Sequence, residues 1–332
     1  MRLKSLLKCS LLLALLFAAG AANSADIVHA QDLAFRQQYD SALTITAAAI
    51  ASDGSDPVGY YWQGSIIQLV INDLGRGELV DSFYKLSDRA VALCRQRLKR
   101  NPNDAKAQFY YGMTQLNRAR LLGWQRRTLP ALRTCFDVNP HLNAAMALDP
   151  SLTDARLGLG VIEYFKVSAG RYVPGLGMFG SRKKAYDLVT AVVDDDGMFG
   201  SAARALLVYM MKEDGDYAGA LYHGSKLLDR YGGNRLMMRH MRDALYKAKR
   251  YSDVVKLGAQ IDSILPKACM DDKYGIAENW IVCGKAYSLM GLKQEARERF
   301  DHVIAWEPYQ SCVPWLPHYV REAKQWRKKL GS

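Results

Sequence analysis

The chain has 332 residues, 49% hydrophobic and 23% charged, with a formal net charge of +12 at pH 7. That length is sufficient for a large core, or for a repeat protein whose core runs continuously from unit to unit. The cysteines include no CxxC pair, which leaves zinc binding and thioredoxin-like redox chemistry without support.

The N-terminus has the residue order of a secretory signal peptide. Its positive residues are Arg2, Lys4 and Lys8, and an apolar run, Leu11–Ala19, follows them. Small residues come next, from Gly20 to Ala25. Because the apolar run is shorter than the ~20 residues of a bilayer span, we predict a signal peptide over residues 1–25, cleaved between Ala21 and Ala25, with an uncleaved anchor as the alternative. The pattern predicts a periplasmic or otherwise exported protein.

Removal of that segment and its three basic residues leaves a net charge of +9. Positive charge attracts nucleic acid, anionic lipid or acidic polymers. Export argues against nucleic acid, and the basic residues are spread along the chain, which is typical of a solvated basic surface.

Four similar stretches recur at one interval. Gly64, Gly112, Gly160 and Val208 each lie 48 residues after the one before, and Pro102 and Pro150 share that spacing within turn-like sequences. Repeats of this length indicate stacked supersecondary units. A glycine lets two antiparallel helices approach closely, so we expect each of these positions in the first helix of a pair.

The last repeat carries a more specific pattern. Its marked residues are Trp280, Gly284 and Tyr287, then Ala296, Phe300 and Pro308. This pattern resembles the tetratricopeptide repeat (TPR) signature, although Cys283 and Val303 depart from it. The chain is identified as a divergent exported bacterial member of a TPR-like family.

The resemblance implies an all-α fold: a TPR-like right-handed superhelix of antiparallel helix pairs with enlarged repeats and a C-terminal capping helix. The repeat domain would cover residues 26–332, with first-helix anchors near 64, 112, 160, 208, 242 and 284 and the cap over 313–332. A standard TPR unit has 34 residues, so each early repeat is enlarged. We expect a long helix over Glu78–Arg100, short pieces broken at Gly123, Pro130 and Asn139–Pro140, and a glycine-rich loop over Ser168–Gly180.

In TPR proteins the first helix of each pair lines a concave groove. Carried over to this chain, the implied groove residues are Tyr61, Gln68, Phe109, Met113, Asn117, Leu157, Tyr164, Tyr209 and Lys212. Their aromatic and apolar character suits an extended peptide or an apolar helix. The alternative is that the enlarged helices fill the groove themselves.

Two further features carry hypotheses. The loop after residue 168 contains Arg171, Tyr172, Met178 and Phe179; it is interpreted as a clamp over the groove, a membrane-touching finger, or a segment packed between helices. Cys269 and Cys312 lie at adjacent ends of the last predicted hairpin, so a disulfide between them is a hypothesis, as is a looser Cys94–Cys135 pair.

No catalytic, nucleotide-binding or calcium-binding motif is present in the sequence, so we expect no catalysis, cofactor or metal. The favoured function is a non-catalytic exported TPR-like scaffold that binds a protein or peptide partner in the cell envelope. One alternative is a basic peripheral protein that binds anionic lipid or cell-wall polymer. Another is a ligand-binding or enzymatic helical protein with a pocket between repeats.

Overall fold

The computed structural model describes residues 24–125, 127–169, 180–194, 197–265, 273–309 and 316–331. These residues form fifteen α-helices and two short 3-10 helices, Gly77–Leu79 and Glu307–Tyr309. In chain order the α-helices are α1 Ser24–Phe35, α2 Tyr39–Ser52, α3 Pro57–Leu74, α4 Val80–Arg100, α5 Ala105–Trp124, α6 Thr128–Leu148, α7 Ala155–Ala169, α8 Arg182–Asp194, α9 Gly200–Asp214, α10 Tyr217–Arg230, α11 Arg235–Lys247, α12 Tyr251–Ile264, α13 Lys273–Leu289, α14 Lys293–Ile304 and α15 Leu316–Lys329.

Local sequence sets several helix boundaries. Asp104, Asp216 and Asn234 precede α5, α10 and α11, and each side chain accepts a hydrogen bond from the backbone N–H three residues on. These caps satisfy donors that the first turn of a helix leaves without partners. Gly215 ends α9 with φ of +91°, a conformation that glycine adopts without strain.

Consecutive helices pack as antiparallel pairs, for example α5 with α6 and α9 with α10. We call the first helix of a pair an A helix and the second a B helix. Helix α9 also contacts the next A helix, α11, and α11 contacts α13. Helix α13 contacts α15 in the same way. This is TPR-like stacking, in which each pair buries an apolar face that it cannot hide alone. The predicted all-α, TPR-like fold is confirmed for the described residues, which contain no strand.

Two of the enlarged repeats place their extra residues within their helices. In the second and third pairs the helices themselves are long, with 18 and 21 residues in α3 and α4 and 20 and 21 in α5 and α6. The prediction that Pro130 and Pro140 break this region into short pieces is wrong. Pro130 lies in the first turn of α6, where proline is tolerated, and Pro140 lies inside the helix.

Packing explains why α6 continues through Pro140. An interior proline removes one helical hydrogen bond and costs about 3 kcal/mol. Helix α6 buries a stripe at helical spacing on both sides of it: Ala131, Cys135, Val138, Leu142 and Ala145. Contact between α5 and α6 is extensive. Burial of that stripe outweighs the loss of one hydrogen bond.

The anchor glycines are only partly explained by close approach. A Cβ atom at Gly112 would lie 2.6 Å from Leu142 Cδ2, and one at Gly160 would lie 2.6 Å from Val189 Cγ2. At Gly284 the distance to Phe300 Cε1 would be 2.7 Å. At Gly64, in contrast, the nearest atom would be 3.8 Å away. The expected close approach is therefore confirmed at three positions and wrong at Gly64.

The chain divides into two compact units. The first comprises the residues up to Ile67 together with Ser82–Asp149, and the second comprises Gln68–Asp81 together with the residues from Pro150 onward. Helix α15 packs on α13 and α14 through Leu316, Val320 and Ala323 and covers the end of the second unit, as the predicted cap would. Among the described helices, none combines the length and apolar character that crossing a membrane requires.

Candidate partner-binding surfaces

The predicted groove residues of the first unit are mostly taken up by packing. Tyr61, Phe109 and Met113 are buried, and the Tyr61 ring meets the Tyr110 ring edge-on with centroids 5.3 Å apart. Burial raises the pKa of the Tyr61 hydroxyl. Asn117 is only half-buried and donates a hydrogen bond to a serine hydroxyl on α3. Of these four, Asn117 alone reaches the surface to a substantial extent.

The second unit presents a different surface. Gln68, Leu157, Tyr164 and Lys212 are buried, whereas Tyr209 is 43% exposed. A partner-binding role for these residues stays a prediction. Fewer of the predicted groove residues are accessible to solvent than the sequence suggested, and in this unit the accessible one is Tyr209.

Beneath this surface Asp214 joins three helices. Its carboxylate accepts hydrogen bonds from the hydroxyls of Tyr164 at 3.2 Å and Tyr186 at 3.1 Å, and it pairs with Arg182 at 3.2 Å. Burial, followed by the charge of Asp214, raises the pKa of both tyrosines. The two hydroxyls therefore stay protonated donors that fix α7 and α8 against the end of α9.

Tyr209 lies beside a lysine–histidine pair. The Lys212 ammonium is 5.4 Å from the centre of the Tyr209 ring, donates to His240 Nδ1 at 3.4 Å and pairs with Glu213 at 3.2 Å. Burial and the neighbouring Lys212 charge lower the pKa of His240 to about 3. His240 is therefore a neutral acceptor at ordinary pH.

An ionic network continues along α11. Arg242 is 0% exposed and is among the largest fully buried side chains of the described chain. It donates to Asp243 at 2.7 Å and to Asn279 Oδ1 at 2.9 Å, and it pairs with Glu278 at 3.5 Å. Burial disfavours the charge, but Asp243 and Glu278 outweigh it and raise the pKa of Arg242. Asp243 and Glu278 are half-buried, so their carboxylates are fixed while partly open to solvent.

The same face of α11 binds Asp73, which lies much earlier in the sequence. Arg235 and Arg239 both bind the carboxylate of Asp73, with Arg239 Nη2 at 3.0 Å from Oδ1. Arg239 also pairs with Glu278 at 3.3 Å. Sequence reasoning missed this cluster, although the spacing of Arg235, Arg239 and Arg242 places three arginines on one helical face. No local signal identifies Asp73 as their partner.

Other predicted sites lie outside the described residues: the signal peptide up to residue 23, Arg171, Tyr172, Met178 and Phe179 in the loop, and Cys269 and Cys312. The Cys94–Cys135 pairing is wrong, because both thiols are free and buried. Burial raises the pKa of each to about 12, so neither is a reactive thiolate. Among the described residues, no group of three or more histidine, cysteine or acidic side chains is placed to hold a metal ion.

The first unit has a shallow pocket between α4, α5 and α6. It is lined by Arg95, Leu98, Lys99, Tyr111 and His141. The His141 ring lies 4.2 Å from the Tyr111 ring, and its Nδ1 is 2.6 Å from Gln108 Oε1. Burial, followed by the Arg95 charge, lowers the pKa of His141. These contacts stabilise the packing of α4, α5 and α6.

The packing of the described helices defines an all-α, TPR-like repeat protein. No family model and no curated protein matches the chain. One similar solved structure is a tetratricopeptide repeat protein from Parabacteroides merdae, with 12% identity over 92% of this chain and 100% of that chain and a TM-score of 0.41. Another is the TPR domain of P58(IPK), with 13% identity over 92% and 98% of the two chains and a TM-score of 0.31. Likeness at this level concerns the fold alone and carries no argument about binding.

Proposed function

We propose that the chain is an exported, non-catalytic TPR-like scaffold that binds a segment of a partner protein along the A-helix face of the second unit. One observation carries this proposal. Tyr209, His240 and Glu278 lie at least partly open to solvent on α9, α11 and α13, and the Lys212 and Arg242 contacts hold them in place. Fixed aromatic and charged side chains bind with little loss of side-chain entropy.

The arrangement favours an extended ligand over a small molecule. The three groups come from successive A helices that contact one another in turn. A row of side chains on stacked helices matches a peptide or helix that runs across the stack. Tyrosine is also one of the residues that most often dominate the binding energy of an interface, which suits Tyr209 as the anchor.

A photo-crosslinking residue tests the proposal directly. Placed at Tyr209, it should trap a discrete protein product in the cells that make the chain. The matched control is Tyr222, which is 58% exposed but lies on the B helix α10. A product from position 209 and none from 222 supports the proposal. Equal products from both positions, or none from 209, would contradict it.

Export is a separate part of the proposal and is supported by the order of charges, apolar run and small residues at the N-terminus. N-terminal sequencing of chain recovered outside the cytoplasm should read a sequence that begins between residues 22 and 26. An intact N-terminus on chain found in the cytoplasm would overturn this part alone.

A second candidate rests on the exposed basic side chains of α4: Lys85, Arg89, Arg95, Lys99 and Arg100. Such a surface attracts anionic lipid or an acidic polymer. Sedimentation with vesicles that contain phosphatidylglycerol would show binding that falls steeply as salt rises, because surface charges are screened. Partner binding on the A-helix face should change little over the same salt range.

A further inference from the structure

Residues Gln68–Asp81, which we call the strap, belong to the second unit although the helices on either side of them form a hairpin of the first. The strap comprises the end of α3, the turn that follows and the start of α4. Asp73 lies at its centre with 0% of its side chain exposed. Both arginines that bind it come from α11, more than 160 positions later in the chain.

The arginines hold more than the carboxylate. Arg239 Nη2 also donates to the backbone carbonyl of Asp73 at 3.0 Å and to that of Asn72 at 3.4 Å. The last carbonyls of a helix have no partner within the helix and carry partial negative charge. Arg239 therefore recognises the end of a helix together with a carboxylate on its last turn.

The turn after Asp73 fits an aromatic surface. Gly75 has φ of +68°, and a Cβ atom there would lie 2.6 Å from Cγ of Tyr274 on α13. Glycine is therefore required both by the backbone conformation and by the ring that it touches. The strap thus contacts two successive A helices, α11 and α13.

This buried contact adjoins, through Glu278, the surface that the proposed function assigns to a partner. Arg239 binds Asp73 and Glu278 at once, and Glu278 is one of the partly exposed groups of that surface. Burial disfavours the Arg239 charge, yet Glu278 and Asp73 together raise its pKa. If Asp73 left, two largely buried arginines would lose a counter-charge, which is costly unless another carboxylate replaces it.

We propose that the strap is an intrachain ligand of Arg235 and Arg239, and that it opens as a unit so that a carboxylate on a partner's acidic segment can take its place. The identity of the partner that replaces the strap rests on the proposed function. The opening of the strap is independent of it. The partner segment expected at this site is a helix end or turn that carries an aspartate or glutamate.

Hydrogen exchange on the full chain tests the opening. Asp73→Ala should speed exchange of the strap amides by about 100-fold or more, since breaking a buried ion pair shifts such equilibria by that order. Amides of α14 and α15 should keep their rates. Asp88→Ala is the control, because Asp88 is mostly exposed and pairs with Arg118 at the surface. Exchange that changes less than about threefold in the strap, or equally throughout the second unit, would overturn the proposal.

A peptide of residues 66–81 tests carboxylate recognition. It should bind the Asp73→Ala chain at least about tenfold more tightly than the wild-type chain, whose site is occupied. The same peptide with asparagine at position 73 should bind weakly, and Arg235→Gln/Arg239→Gln in the Asp73→Ala chain should abolish binding. If the two peptides bind alike, carboxylate recognition is refuted, while trapping at Tyr209 still decides the scaffold function separately. If Asp73→Ala folds poorly, Asp73→Asn replaces it, because asparagine keeps the side-chain volume.

Discussion

In the first unit, helix α5 packs through aromatic and aliphatic side chains. Phe109, Tyr110 and Met113 are buried there, and the rings of Tyr110 and its neighbours meet edge-on. In the second unit, the A helix α11 instead buries Arg239 and Arg242. Arg239 pairs with Asp73 and Glu278, and Arg242 pairs with Glu278 and with its neighbour Asp243. Both helices occupy the same place in a repeat of the same type.

The difference teaches that the repeat geometry does not decide the chemistry of its interfaces. An apolar interface needs no counter-charge and is complete once water is excluded. An ionic interface is complete only while every buried charge has its partner, so it is sensitive to the loss or exchange of one group. The second unit therefore has the interface that depends on each of its charged groups.

The strongest test of this comparison removes the buried arginine. Arg242→Met keeps similar volume but removes the donor that binds Asp243 and Asn279, and we expect it to lower the free energy of unfolding by about 3 kcal/mol. Urea unfolding measures this change. As a control, Arg250→Ala should cost less than about 0.5 kcal/mol, because Arg250 is 55% exposed in its pair with Asp253. A loss below about 0.5 kcal/mol for Arg242→Met would show that the network does not support the fold.

The apolar side of the comparison is tested at Pro140. We expect Pro140→Ala to raise the free energy of unfolding by about 2 kcal/mol, since alanine restores a hydrogen bond within α6 and removes the ring clash. Pro130→Ala is the matched control and should change stability by less than about 0.5 kcal/mol, because Pro130 lies in the first turn. Destabilisation by Pro140→Ala would mean that the proline itself, rather than the buried stripe alone, shapes the interface.

The repeat spacing, Pro140 and the arginines of α11 show how far the sequence determines the structure. The four positions at 48-residue spacing all lie in first helices of successive pairs, although close approach accounts for the glycine only at Gly112 and Gly160. The interior proline was misread because local propensity says nothing about the face that α6 buries. The three arginines of α11 could have been recognised from their spacing, but Asp73 could not, because its pairing depends on how distant segments meet.

The anchor glycines give a smaller, paired test. Gly160→Ala should lower the free energy of unfolding by about 1–2 kcal/mol, because its methyl group would also lie 3.2 Å from the Ala185 carbonyl oxygen, and backbone yields little. Gly64→Ala should raise it by about 0.5–1 kcal/mol, since the site has room and alanine favours the helix. Thermal or urea unfolding of both variants measures the difference. Equal effects at the two sites would refute the distinction that the structure draws between them.

The smallest expected effect concerns His240 and pH. The pKa of His240 is about 3 in the folded chain, whereas an unfolded histidine titrates near 6.5. Between these values the unfolded chain binds more protons, so this histidine lowers stability progressively as pH falls below about 6.5. His240→Asn keeps an acceptor for Lys212 but does not titrate there. Between pH 7.5 and 5.5 the wild type should therefore lose about 1 kcal/mol more than His240→Asn in urea unfolding. If the wild type and His240→Asn lose stability equally over this pH range, His240 is solvated and its side chain is not held in place beside Tyr209. That result would weaken the contrast between the two units.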